Sequence, residues 1–477
     1  MAFFWQNKQN NKVAGLIDMS FNQEKMTSIE KRVAMSLSAI FASRMLGLFM
    51  ILPVFAVYAE ELKGFSPTLA GVAIGIYGLT QAIFQIPLGM LSDRIGRKPV
   101  IIGGLLVFAV GSVIAAMADS ITGVIVGRAL QGSGAIASAV MALAADLTRE
   151  EHRIKVMASI GMSIGMSFAL ALVFGPMLHG WFGVEGIFWI TAILAMGGIY
   201  VAKFWVPTPL LTRFHRDAEV EISWFRQAFA DQQLLRLDTG IFILHFILVS
   251  QFVILPVILR DQLGLDLEHH WQLYLPVLFF AVLTMVPFII LAEKKRKLKQ
   301  VLIGAIVVLS ISQLSLPLVT NSLAGLAIML WLFFSAFNLL EASMPSLVAK
   351  MAPAAHKGTA MGAYSTSQFL GVFLGGLIGG TLSEFYGISG VASFNVVLLI
   401  IWAGLAITMK KPHFYTSYLL NVGDVSEKEA QDLIKALSRV VGVVDVTVIA
   451  EDGVAYLKLD KQRVDMNELH QFSVTED

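Results

Sequence analysis

The chain has 477 residues, 56% of them hydrophobic and 14% charged, with a mean hydropathy of +0.72, which excludes a soluble globular protein and points to a polytopic membrane protein. A formal net charge of +1 excludes nucleic-acid binding through a basic field. The absence of cysteine excludes disulfides, thiolate metal sites and thiol catalysis together.

Residues 1–32 form a polar tail that carries Gln6, Asn7, Gln9, Asn10 and Asn11 and lacks the apolar core and cleavage site of a signal peptide. At about twenty apolar residues per bilayer crossing, twelve spans follow, at 33–58, 69–91, 98–118, 121–145, 156–180, 185–206, 239–260, 271–292, 299–319, 322–348, 358–382 and 390–409. The basic residues concentrate in the even-numbered turns and the flanks, while the odd-numbered turns carry only Lys63 and Arg260. Both termini are therefore expected on the cytoplasmic side. The longest loop, 207–238, interleaves Trp224, Phe225, Phe229, Leu234 and Leu235 with charges, as an interfacial linker would, and divides a six-helix half at 33–206 from a second at 239–409. A weak repeat supports duplication: Thr148–Met157 aligns with Ala352–Met361, which brings Gly175 opposite Gly379.

After Pro412 the pattern changes to that of a small soluble domain, residues 415–477. Strands are predicted at 417–422, 444–449 and 454–459. Ser426 and Glu429 make a capping box for a helix that ends before Gly442, and a last short helix covers 466–472. The order β-α-β-β-α suggests a ferredoxin-like module without a clear final strand. At about sixty residues such a module is marginal alone, so docking to the membrane part or self-association through 415–477 is expected to support an otherwise monomeric chain.

Ionisable groups inside a bilayer cost about 2.5–3.5 kcal/mol each on insertion scales, so those that persist carry information. Four lie well within spans: Arg44 in span one, Arg128 in span four, His245 in span seven and Glu341 in span ten. Glu341 is the acid of the set and the natural proton carrier. Gln81, Gln85, Gln251, Tyr364 and Gln368 are further polar candidates to line a substrate path. No phosphate-binding loop, catalytic carboxylate pair or nucleophile elbow is present, so an enzyme is not expected.

Between spans two and three runs Gly89-Met90-Leu91-Ser92-Asp93-Arg94-Ile95-Gly96-Arg97-Lys98-Pro99. It resembles the loop signature of the major facilitator superfamily, and a faded echo of it stands at Ala292–Lys297. Arg128-Ala129-Leu130-Gln131-Gly132-Ser133-Gly134 is similar to that superfamily's span-four element, whose arginine is implicated in proton coupling. Gly161, Gly165, Gly175-Pro176 and Gly180 resemble its antiporter signature in span five, although Ala171 and His179 stand where glycines are usual. With Ser43–Gly47, Leu52-Pro53-Val54, Ser367–Gly371 and the appended module, the chain is similar to the drug:proton antiporter branch and to its YajR-type bacterial members.

The resemblance implies an all-helical twelve-span fold of two pseudo-symmetric halves in a bacterial inner membrane, and multidrug efflux driven by the proton gradient with no cofactor. It implies a latch at Gly89, Asp93, Arg94, Gly96 and Arg97, in which Asp93 faces the start of span eleven near Lys357–Ala360. From the intramembrane charges themselves, Glu341 is expected to exchange a proton while Arg44 and Arg128 set its affinity, with His245 as a further coupling candidate. Two alternatives stay open: proton symport of a small polar or anionic solute, and a transporter-like sensor governed by the terminal module. That module has Gly423-Asp424-Val425 where metal-binding relatives of its fold carry a Cys-x-x-Cys loop.

Overall fold

The computed structural model describes residues 25–209, 227, 229–353, 356–410, 416–423, 425–450, 453–460 and 463–473. Most of the tail, Trp224, Phe225 and much of the 207–238 loop lie outside them. Ten helical stretches are long and apolar enough to cross a membrane. Two of these, α7 (Glu150–Phe204) and α12 (Lys357–Thr408), have 55 and 52 residues, enough for two crossings each. Each is broken at one glycine, Gly183 (φ 67°) or Gly387 (φ 62°), in a left-handed conformation that residues with a Cβ rarely adopt. Counting both sides of each break gives twelve spans.

Span one is α1 (Ser28–Phe49) continued by α2 (Leu52–Tyr58), interrupted where Pro53 supplies no amide hydrogen. Spans two and three are α3 (Pro67–Ile95) and α4 (Arg97–Ala116). Span four is split into α5 (Ile121–Ser133) and α6 (Ala137–Asp146). Spans five and six are the two parts of α7. Spans seven to ten are α8 (Gln232–Asp261), α9 (Trp271–Lys294), α10 (Leu298–Val319) and α11 (Leu323–Met351), and α12 supplies eleven and twelve. The repeat seen in the sequence has a packing counterpart. Gly175 of span five lies against the Met50 carbonyl of span one, and Gly379 of span eleven lies against Ser250 of span seven.

Span eleven carries two rows of glycine four residues apart. Gly371, Gly375 and Gly379 meet Phe242, Phe246 and Ser250 of span seven, which fixes these two parallel helices together within one half. Gly376 and Gly380 meet Gly71 and Pro67 of span two, across the two halves. A Cβ at Gly71 would collide with the Gly376 carbonyl, so the backbones touch as small residues permit. The same end of the molecule holds the Arg260–Glu60 pair at 2.8 Å and the Thr68 amide donating to Glu384 at 3.1 Å. One hydrophobic core joins the second half to Met50–Ile74 and Val184–Phe188 of the first at this end. At the other end, the base face that carries the Asp93 and Glu293 loops, the first half has a separate core of its own, built from Val33–Leu48, Val100–Ala109 and Ile136–Ala144. The halves are thus closed at the far face.

After span twelve, β1 (Thr416–Asn421), α13 (Glu427–Leu437), β2 (Val443–Ile449), β3 (Val454–Leu459) and α14 (Met466–His470) form the terminal module. Its antiparallel sheet has the order β1-β3-β2. The Ser426–Glu429 capping box starts α13, and Leu420, Leu437, Leu457 and Leu469 make the core. Lys458 donates to the Lys350 carbonyl at the end of span ten (3.4 Å), and burial there holds its ammonium below the usual lysine range against the opposing pull of Asp445.

The cysteine-free chain allows a direct test of the closed far face. Thr68 and Thr381 have hydroxyl oxygens 3.4 Å apart across the halves. The double variant Thr68→Cys/Thr381→Cys cross-links on mild oxidation, seen as a gel shift after cleavage in the 207–238 loop. Adding Gly376→Leu, which drives span two away from span eleven, reduces the cross-linked fraction severalfold.

Candidate functional site

The two arginines that lie well within spans of the first half are fully buried, Arg44 at 0% and Arg128 at 2% exposure. Both lie near the Tyr77 ring, with guanidinium carbons 5.7 and 5.4 Å from its centroid, and Arg44 also faces Phe108 at 5.6 Å. Arg44 donates to Gln81 Oε1 at 2.6 Å. Arg128 donates to the carbonyls of Ala73 and Ile74 at 3.3 and 3.2 Å and to Gln131 at 2.9 Å, and Gln131 in turn donates to Ser112. Gly132 explains why span four reaches these groups: a Cβ there would strike the Tyr77 carbonyl and Thr80. Among the described residues no carboxylate stands within electrostatic reach of either guanidinium. Two cations are therefore held by neutral acceptors and ring faces, and the Nε and Nη1 atoms of Arg44 have no hydrogen-bond partner.

The second half holds the acid. Glu341 faces His245 of span seven, with Oε2 3.8 Å from Nε2, and its Oε1 accepts from Gln368 of span eleven at 3.4 Å. The Gln368 amide also lies 2.8 Å from His245 Nε2, while His245 Nδ1 is 3.3 Å from the Ile241 carbonyl. A carbonyl can only accept, so Nδ1 carries the hydrogen and Nε2 accepts from the amide, the bonding pattern of a neutral imidazole. The Glu341 side chain is 38% exposed against 10% for His245, and its Oε2 has no hydrogen-bond partner. Phe369, next to Gln368 in the chain, meets the Tyr77 ring at 6.4 Å, a contact between the two halves. Among the described residues the ionisable neighbour of Glu341 is His245, and no arginine pairs with the acid in this conformation.

The loop between spans two and three is folded onto its own half. Arg97 is 3% exposed and joins Asp93, Ser92 (3.0 Å) and the buried Asp146 of span four (3.2 Å). Gly96 makes the turn at φ 96°. Arg94 closes α3 as the basic residue of its last turn. Gly89 approaches Ser138 of span four, not span eleven, and Asp93 pairs with Arg97, so the expected approach of Asp93 to Lys357–Ala360 is not made here. The physical reason is the closure at the far face, which leaves the base ends of the halves apart. The innermost polar contact described between spans two and eleven is Gln85 to Thr366 at 2.8 Å.

Other candidates separate. Gln81 and Gln85 are buried and occupied by Arg44 and Thr366. Gln251 is 1% exposed and accepts from Gln313, which accepts from Asn395, an amide network inside the second half. Gly175 and Gly180 make close contacts, with Met50 and Glu268, and Pro176 lies within the helix between them. Gly165 faces open space and packs against nothing in this conformation. Reasoning from the sequence missed Asp146 and Asp238, both buried, because acids at span ends are ordinarily solvated. The signal for Asp238 was its spacing of seven from His245, two turns along one helical face.

Replacing Gln81 with Leu removes the acceptor of Arg44 and lowers stability by about 1–3 kcal/mol, read as a lower midpoint of thermal unfolding in detergent, whereas Gln81→Glu retains an acceptor and keeps the wild-type midpoint or raises it. Asp146→Asn leaves Arg97 buried with one charged partner fewer and costs about 3 kcal/mol in the same measurement.

The Major Facilitator Superfamily profile matches residues 37–298 and 271–419. The chain is 46% identical over 94% of its length, and 99% of the relative's, to the inner membrane transport protein YajR of Escherichia coli K12. It is 31% identical to a class B tetracycline resistance protein of Escherichia coli over 37% of this chain and 45% of that one. Among solved structures, a bacterial homologue of the human lysosomal transporter Spinster, inward-facing and occupied, superposes with a TM-score of 0.65 at 16% identity, over 82% of this chain and 98% of that one, a likeness of fold. Twelve apolar spans in two similar halves, the span-two loop and the small terminal sheet agree with these matches: the chain belongs to the Major Facilitator Superfamily of membrane transporters, with the terminal module of its YajR type.

Proposed function

We propose that the protein is a proton-coupled exporter of small molecules that works by alternating access, with Glu341 as the group that takes up and releases the proton. The observation that carries this reading is Glu341 itself, an acid midway along span ten, partly exposed, with one carboxylate oxygen unpartnered and an imidazole beside it. A carboxyl group so placed changes its charge at least cost when a neighbour or the water around it changes. His245 bears on the exchange. Protonation of its Nε2 requires the Gln368 amide to turn away, after which an imidazolium 3.8 Å from Oε2 favours the ionised acid.

Direction follows from two supports. The basic loops assign the base face to the cytoplasm, so the conformation described is closed to the exterior. The partial relative named for tetracycline resistance favours export, since a transporter confers resistance by moving a drug out of the cytoplasm. A second reading, proton symport of an anionic solute, draws on the two buried guanidinium groups, which have no carboxylate among the described residues.

Inside-out vesicles with an acid interior separate the two. Addition of tetracycline or a lipophilic cation partly collapses the pH gradient in wild type and leaves it at the level of empty vesicles in Glu341→Gln. A Glu341→Gln protein that still collapses the gradient removes Glu341 from the coupling. If the gradient is unmoved by cations, and small organic anions instead carry protons inward across a gradient of the opposite sense, the protein is a symporter.

A further inference from the structure

Asp238 is a further buried acid, and neither the family signatures nor the vesicle reading gives it a role. It lies two turns before His245 on span seven, about 10 Å along the helix at 1.5 Å per residue, at 3% exposure. No cation of the described residues stands within its electrostatic reach, and its Oδ2 has no hydrogen-bond partner. The groups that face it are few. Span eleven presents Tyr364, 3% exposed, whose hydroxyl also lacks a partner and lies within electrostatic reach of both Asp238 and Glu341. Span ten presents Glu341 beyond that phenol. Span twelve places the uncharged Trp402 against Gly240, two residues away. The parallel register of spans seven and eleven, fixed by Gly371 on Phe242 and Gly375 on Phe246, sets Asp238 level with Ser367, within a turn of Tyr364.

Three unpartnered oxygens, on Asp238, Tyr364 and Glu341, thus occur in sequence from the base face toward mid-membrane. An ionised carboxylate in such surroundings costs several kcal/mol, whereas the neutral acid costs far less. We propose that Asp238 is a second proton-binding carboxyl of the transport cycle, which exchanges its proton with Glu341 through the Tyr364 hydroxyl. In the exchange the phenol oxygen accepts a hydrogen from one acid and gives its own to the other. One O–H bond forms for each that breaks, and the net result is one carboxyl and one carboxylate with their places exchanged. Asp238 then connects Glu341 to the cytoplasmic side. The inference rests on the proton-coupled reading of Glu341 given above.

Infrared titration of the purified full chain tests this without a substrate. The stretch of a protonated carboxyl is followed against pH in wild type, Asp238→Asn, Glu341→Gln and Tyr364→Phe. The expected result is a protonated-acid band that Asp238→Asn removes, with a titration midpoint that shifts in Glu341→Gln. In Tyr364→Phe, which keeps the ring, that band remains and the rate of gradient collapse in vesicles falls at least severalfold. A merely structural aspartate would lower the unfolding midpoint in Asp238→Asn and leave every band in place, and that outcome overturns the proposal. An Asp238 band that does not respond to Glu341→Gln overturns the exchange between them. Failure of the Glu341 reading is seen separately, as gradient collapse retained by Glu341→Gln in vesicles.

Discussion

The arrangement of the site depends on how two guanidinium groups are kept in the interior of the first half. Both are shielded from solvent, and a charge without compensation there would be costly. The chain supplies carbonyls of Ala73 and Ile74, the side chains of Gln81 and Gln131, and the Tyr77 ring beside both cations. None of these neutralises the charge. The first half therefore presents a positive interior to the second half, where Glu341 and Asp238 are found. Neutral solvation of the arginines leaves their electrostatic pull available to whatever occupies the space between the halves, which a dedicated ion pair would have consumed.

Packing determines which of these contacts can change. The row Gly371, Gly375 and Gly379 joins span eleven to span seven, so Gln368, His245 and Glu341 travel together as parts of one half. The row at Gly376 and Gly380 joins the same helix to span two and can be released without disturbing the first row. Relative motion of the halves then alters Tyr77 against Phe369 and Gln85 against Thr366, the contacts that cross between them. A single helix thus serves as a fixed wall of the acid site and as the surface over which the other half moves.

Span positions were readable in the sequence because hydropathy reports bilayer length directly, and the breaks inside α7 and α12 fall in the gaps predicted at 180–185 and 382–390. The four intramembrane ionisable groups were readable because any such residue is conspicuous among apolar neighbours. What could not be read was partnership. Gln251 and Gln368 look alike in sequence, yet one is sealed in an amide network with Gln313 and Asn395 and the other touches the acid. Asp238 and Asp146 were hidden by position, since a charge at the end of a span is normally solvated. The packing of Gly165 and the reach of Asp93 depend on which face is closed, and one sequence encodes more than one such arrangement.

The duplicated halves treat their base loops in related but unequal ways. With Thr148 aligned to Ala352, the end of span four at Asp146 corresponds to the end of span ten at Lys350. Each carries an ion pair to the loop of its own half: Arg97 with Asp146 at 3.2 Å, and Glu293 with Lys350 at 2.7 Å. The base and the acid have changed places. Gly96 turns the first loop at φ 96°, and Arg296 holds a left-handed turn at φ 55° where the glycine has been lost from the second. The span-end residue of the second pair is also the one whose carbonyl accepts Lys458 of the terminal sheet. The appended module is therefore attached at the second-half counterpart of the Arg97 clamp, so a motion that loosens Lys350 from Glu293 acts on the module's foothold directly. That attachment gives the small domain a mechanical connection to spans eight and ten.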